Sequence, residues 1–397
     1  MAFRPFFLLA ALYAPLPVAL WLPVALGGMA GAGLARHHAE MLLFGMIPAA
    51  MAGFMLTALP RWTGGAVKPR RAAMLLLVLW LAGRLGVLPA LMPVALAAIV
   101  AGNIVAARDV RNAGAALSVT LFAAGDVLLR MPATAALGLR LGLAAVVALQ
   151  MILAGRIIPA LTARHILLRT GESPGLRNRR AEWLGTVPAV AALAAWVAEP
   201  ACAATAWLSA AAVIGQTLRL VSWRGWRVWR TPPVLALHLA YAWLPAGFLL
   251  LAWQLADPVW PGPLAAVHAW AVGGVAVLCL GIMSSMIRRH TGRAFATSPA
   301  ATACYATGLL AGVARLAMVL APAVRGPALL TAILLWCSCY VLFLAAFGAM
   351  RPPGGDAAAA NPARRAAGPA PPLAGASARG GREDGAGIAM GRLAQVR

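Results

Sequence analysis

The sequence predicts an all-α, polytopic membrane protein of about twelve transmembrane helices, with both termini cytoplasmic. Three observations predict it. Apolar residues make up 62% of the chain and charged residues 11%, against about 45–50% and about 25% in soluble domains. The apolar residues come in unbroken runs, such as 72–82, rather than in the alternation of a membrane β-barrel. The basic residues fall in every second connection, as cytoplasmic loops require. A compact water-soluble fold and a disordered body are both excluded by this composition. With five Cys in 397 residues, so is a disulfide scaffold.

A crossing needs about 20 predominantly apolar residues, and twelve segments answer to that. The first, 5–26, carries Pro15, Pro17 and Pro23 and no small-residue cleavage site, so it predicts a retained span rather than a signal peptide. The second, 38–59, opens on the His37-His38 pair. The third and fourth, 72–88 and 89–107, are short and meet at Leu88-Pro89. The fifth and sixth, 113–129 and 134–158, flank Arg130. A basic connection over 164–180 precedes the seventh and eighth, 182–199 and 201–220. The ninth, 234–255, holds His238 and Tyr241 near its start. The tenth, 264–287, holds His268, and the eleventh and twelfth are 300–320 and 327–350. Residues 1–350 thus form the membrane domain. Residues 351–397, rich in Gly, Ala, Pro and Arg, predict a disordered cytoplasmic tail.

The formal net charge is +23. In a soluble protein that would suggest nucleic-acid binding. With the N-terminus inside and the spans alternating, 27 of the 33 basic residues fall on the cytoplasmic side or in the tail. The charge is therefore a topology signal, and no nucleic-acid partner is expected; the partner is the lipid bilayer.

Ionisable and metal-ligating side chains within spans mark functional sites by default. Here they are few. His37, His38 and His268 lie near the outer ends of two spans that run in the same direction, so their imidazoles can share a pocket. Two helices that present imidazoles to one site suit a haem iron or a copper ion; interfacial histidines hydrogen-bonded to water are the alternative. His238 and His290 lie on the inner side, with Met283 and Met286 near His290, a donor set whose softness suits copper, although core packing explains the methionines equally. Arg84 and Arg156 lie near helix ends, where cofactor carboxylates, ion pairs or lipid headgroups could partner them. Glu40 and Asp126 sit at membrane depth near the outer side.

An ordered set of short motifs carries a resemblance. It begins with Phe3-Arg4-Pro5-Phe6-Phe7 and His37-His38-Ala39-Glu40-Met41, then Gly53-Phe54-Met55 and Pro60-Arg61-Trp62. It continues through Leu79-Trp80-Leu81-Ala82-Gly83-Arg84, Gly155-Arg156-Ile157-Ile158-Pro159 and His238-Leu239-Ala240-Tyr241. It closes with His268-Ala269-Trp270 and His290-Thr291-Gly292-Arg293. Together these resemble the NnrS family of bacterial inner-membrane proteins. The resemblance implies twelve spans, haem b and copper as cofactors, and a role in the nitric oxide and nitrosative-stress response, often beside denitrification, with nitric oxide as the small-molecule ligand. The family's second-span motif reads Trp-His-x-His-Glu-Met. Aligned on Glu40, its first His falls on His37 and its second on Ala39, with His38 next to it and Arg36 in place of the Trp. One position on a helix turns a side chain by about 100°, so a ligand has moved or a site has changed. On this resemblance the candidate axial ligands are His268 and one of His37 and His38. Arg84 and Arg156 are candidate cofactor partners, and His238 and His290 are candidate copper ligands.

Two other classes fit the layout. A twelve-span secondary transporter of haem, a metal or a small anion shares the topology. So does an assembly partner of a respiratory complex.

Overall fold

The computed structural model describes residues 3–28, 31, 33–65, 69–257, 264–292 and 298–350, and among these all regular structure is helical. The predicted tail lies outside the described residues. Among the described residues, ten helices are long and apolar enough to cross a membrane: α1 (Arg4–Ala25), α2 (Leu34–Trp62), α5 (Val110–Leu129), α6 (Pro132–Thr170), α7 (Arg179–Ala198), α8 (Ala203–Ser222), α9 (Pro232–Ala256), α10 (Leu264–His290), α11 (Pro299–Leu320) and α12 (Pro322–Gly348). The predicted third and fourth spans are helices too, α3 (Pro69–Arg84) and α4 (Leu91–Ala106), but each has only 16 residues. At about 1.5 Å per residue that is about 24 Å, short of a hydrocarbon core of about 30 Å. Ten of the expected twelve spans are thus long enough among the described residues, and the third and fourth, expected to be short, form a short hairpin. The hairpin is cut short because Gly86 and Leu88 take positive φ, at 81° and 52°, and turn the chain before Pro89.

Consecutive helices pack as neighbours, most extensively α7 with α8, α11 with α12 and α5 with α6. Small residues permit the closest of these approaches. A Cβ on Gly125 of α5 would stand 2.7 Å from the Gly142 amide nitrogen of α6. Helices α2, α6, α9 and α10 are the most deeply packed of the bundle, and α2 touches both α6 and α10.

The helices that carry the candidate ligands are irregular. Proline breaks α1 into Arg4–Tyr13, Pro15–Ala19 and Leu22–Ala25, since each ring lacks an amide donor. Helix α2 widens into a π-helix over Met41–Met46, and α10 does so over Ala269–Ala276. Each widened turn follows directly on the histidines of its helix. Such turns are rare and concentrate at functional sites.

Helix α6 is the opposite case. It continues to Thr170, twelve residues past the predicted end of its span, and stops where Gly171 turns left-handed at φ 73°. Its 36 residues over Ala135–Thr170 extend about 54 Å, so its last turns project beyond a hydrocarbon core.

Candidate functional site

The arginine-poor end of the bundle holds the starts of α2 and α10. At the break in α1, the Trp21 amide bonds back to the Val18 carbonyl. That leaves the Pro17 carbonyl to accept from His38 Nδ1 at 3.2 Å. The edge of the Trp21 ring stands against the His38 ring, with centroids 5.8 Å apart at 84°. On α10, His268 Nδ1 donates to the Leu264 carbonyl one turn back, at 2.7 Å. Both imidazoles are thus fixed through Nδ1 by a backbone carbonyl, which leaves Nε2 as the nitrogen with a lone pair. Metal-binding histidines are oriented in this way. His38 and His268 lie close enough to act on each other electrostatically, and Arg315 of α11 acts on both. Arg315 Nη1 and Trp21 Nε1 are buried with no hydrogen-bond partner. His37 is exposed, by contrast. Of the two neighbouring histidines, His38 is the one within electrostatic reach of His268.

Arg84, the last residue of α3, reaches a deeper turn of α2. Pro48 has no amide to offer the carbonyl of Phe44, four residues back, and Arg84 Nη2 donates to that carbonyl instead, at 3.3 Å. Arg84 Nη1 donates to the Tyr13 hydroxyl at 3.4 Å. Trp80 Nε1 donates to the Gly45 carbonyl at 2.8 Å. Gly45 has no room for a side chain: a Cβ there would stand 2.6 Å from Arg84 Nη1 and 2.7 Å from Tyr13 Cε1. Arg84 therefore fastens the wide turn of α2, with its Nε buried and unpartnered. Glu40 and Asp126 are held together by Arg130, which pairs with both carboxylates. That ion triad explains how two acids are tolerated at membrane depth, without a functional role.

The other predicted residues lie at the arginine-rich end, apart from His38 and His268. Arg156 donates to the Arg111 carbonyl at 2.6 Å and to the Asn112 side chain. It is committed to the start of α5. His290 stacks on Phe3, centroids 5.0 Å apart, and receives Arg61 Nη2 at 3.5 Å. His238 Nε2 hydrogen-bonds with Thr162 Oγ1 at 2.9 Å. Its Nδ1 is closed over by Gly225, where a Cβ would stand 2.7 Å away. No group of three or more His, Cys, Asp or Glu among the described residues is placed to hold a metal ion. An arginine against one imidazole and a packed backbone against the other do not fit copper.

Two features escaped the sequence reading. One is Arg315. The other is a buried polar network across α7, α8 and α9. Arg219 donates to Glu182 Oε2 at 2.5 Å and to the Tyr241 hydroxyl at 2.8 Å. Tyr241 in turn donates to Gln216 Oε1 at 2.5 Å. Gln216 and Arg219 stand three apart on α8, hence on one face, and that spacing of polar residues in an apolar helix was the available signal. Gly155, which belongs to a resemblance-bearing motif, lies flush against the Arg219 guanidinium.

A family model described as NnrS protein matches residues 1–351. The chain belongs to the NnrS family. No curated protein matches it. For an NnrS chain the sites above fall into order. Motif residues that carried the resemblance meet in space: Phe7 against Gly53, where a Cβ would stand 2.5 Å from Phe7 Cε1, and Trp80 and Arg84 against Gly45. The NnrS chain is a multi-pass membrane protein by its helices, and its family points to the nitric oxide response.

Proposed function

We propose that the protein acts in the nitric oxide response at the bacterial inner membrane, with a haem held at the arginine-poor end between α2 and α10. His38 and His268 would hold the haem through Nε2, and Arg315 would pair with its carboxylates. Twelve crossings with both termini cytoplasmic belong to the same proposal, with the α3–α4 hairpin as its short pair. One observation carries it: two imidazoles on different helices, within electrostatic reach of each other, each turned by a backbone carbonyl to offer Nε2. When bound, haem supplies an iron that can take a diatomic ligand such as nitric oxide. The chain's own part is to hold that group. The Pro17 and Leu264 carbonyls fix the tautomers, an outer-shell contact of the kind worth about 10–100-fold in affinity. The Trp21 edge limits rotation of the His38 ring. Arg315, buried and with an unpartnered Nη1, gains a carboxylate. No step is assigned to copper, for which the inner donors His238 and His290 do not fit.

The test is the optical spectrum of the purified protein. A Soret band that shifts with nitric oxide, lost in His268→Ala and His38→Ala but kept in His37→Ala, is the expected result. A colourless protein after expression with ample haem would refute the proposal.

A further inference from the structure

A second feature lies outside the haem reading, on the projecting end of α6. The connection from α8 to α9 reads Trp223-Arg224-Gly225-Trp226-Arg227-Val228-Trp229-Arg230, a Trp-Arg pair every third residue. Its middle, Gly225–Val228, is a 3₁₀-helix, in which residues three apart eclipse. Two arginines of the repeat, Arg227 and Arg230, reach the same cleft, and two of its tryptophans, Trp226 and Trp229, stay exposed. Two anchors hold the turn. Trp223 is fully buried, its ring centroid 4.6 Å from that of Tyr241. Val228 is buried in a small satellite core with Ile166, Leu176 and Val234. Arg224 takes a left-handed φ of 53° to make the bend, a strain that the anchors hold in place.

Between this turn and the end of α6 lies a cleft of about 370 Å³, lined by His165, Arg169, Thr170, Arg227, Trp229 and Arg230. Arg230 lies over the Trp229 ring, 4.6 Å from its centroid. Thr231 Oγ1 fixes His165 Nε2 at 2.7 Å. Among the described residues, Glu172 is the one carboxylate that pairs with any of the three arginines, with Arg227 at 2.7 Å. Three guanidiniums around one concavity repel each other and favour an anion between them. The forked donors of arginine match phosphate oxygens. Trp226 and Trp229 are 60% and 62% exposed, as tryptophans at a headgroup layer are.

We propose that this cleft binds a phosphate group, carried by an anionic phospholipid headgroup or by a soluble phosphate. Basic pockets between helices at a membrane surface bind headgroups in this way. The site is formed wholly by α6 and the α8–α9 turn, so it is independent of the haem proposal.

The test uses the full chain in detergent. Native mass spectrometry counts retained phosphatidylglycerol, and equilibrium dialysis measures bound inorganic pyrophosphate. The cleft variant is Arg169→Gln with Arg230→Gln. The control is Arg70→Gln with Arg71→Gln, two exposed arginines on α3 that remove the same charge elsewhere. A ligand retained by wild type and control, and lost by about tenfold or more in the cleft variant, establishes the site. Loss of phosphatidylglycerol alone makes the source a lipid, and loss of pyrophosphate alone makes it a soluble phosphate. Equal loss in both double variants, or no binding of either probe to wild type, overturns the proposal.

Discussion

Replacing Arg130 by Gln should unsettle the arginine-poor end more than any neutral change nearby. Asp126 has no exposed side-chain surface, and Glu40 and Arg130 are 26% and 27% exposed. Among the described residues, the hydrogen bonds that Asp126 accepts come from Arg130, and its second oxygen has no partner. The variant therefore strands a buried carboxylate. Breaking a buried pair from one side costs about 3–5 kcal/mol, and Arg84, which also acts on Asp126 electrostatically, holds the expected loss near the lower figure. Against a total stability of about 5–15 kcal/mol, that is a large fraction. The triple variant Glu40→Gln, Asp126→Asn, Arg130→Gln removes all three charges and leaves amides that can bond among themselves; its loss should be about half as large or less. The assay is thermal unfolding in detergent, followed by the surviving monodisperse fraction on size exclusion. If Arg130→Gln melts with wild type, or the triple variant falls as far as the single one, the ion triad is not what stabilises this end.

Three further outcomes follow from the packing. Gly53→Val should lower the melting temperature by overpacking against Phe7, at a cost of about 1–3 kcal/mol, and Phe7→Ala in the same chain should recover part of it. Tyr241→Phe removes the bridge between Arg219 and Gln216, both buried, and should cost about 1–3 kcal/mol in the same assay, without altering a Soret band. Cys202 lies in the turn before α8, where hydrogen bonds from the Thr205 side chain and amide lower its thiol pKa. A lowered pKa puts thiolate in solution at lower pH, so its alkylation rate should reach half its plateau below the usual thiol range of about 8.5. Thr205→Val should move that midpoint up, and an unchanged rate–pH curve would count against the hydrogen bond.

How far the sequence spoke for itself differs from element to element. The helix at each of the twelve segments was legible, because crossing a bilayer demands a long apolar run and little else. The weak pair was legible as well, since 72–88 and 89–107 met at a single Leu-Pro step. Helix α6 was misjudged at its end because hydropathy registers the membrane, whereas its last turns are held by the satellite core at Ile166. The choice between His37 and His38 could not be made from spacing. It depended on a carbonyl left free at the break in another helix. The role of Arg219, within the predicted eighth span, was not legible because its carboxylate partner, Glu182, is 37 positions away.

The sequence alone determined that this chain lives in a membrane as a helical bundle, which face carries its arginines, and which family it belongs to. Those properties are sums over many residues and survive local error. The tertiary structure alone decided that His38 rather than His37 is held by a carbonyl of another helix, and that Arg227 and Arg230 of a Trp-Arg repeat close with Arg169 on one cleft. A site is a coincidence of a few side chains from distant segments. Its geometry is set by prolines, wide turns and glycine contacts whose effects appear only when the helices are packed.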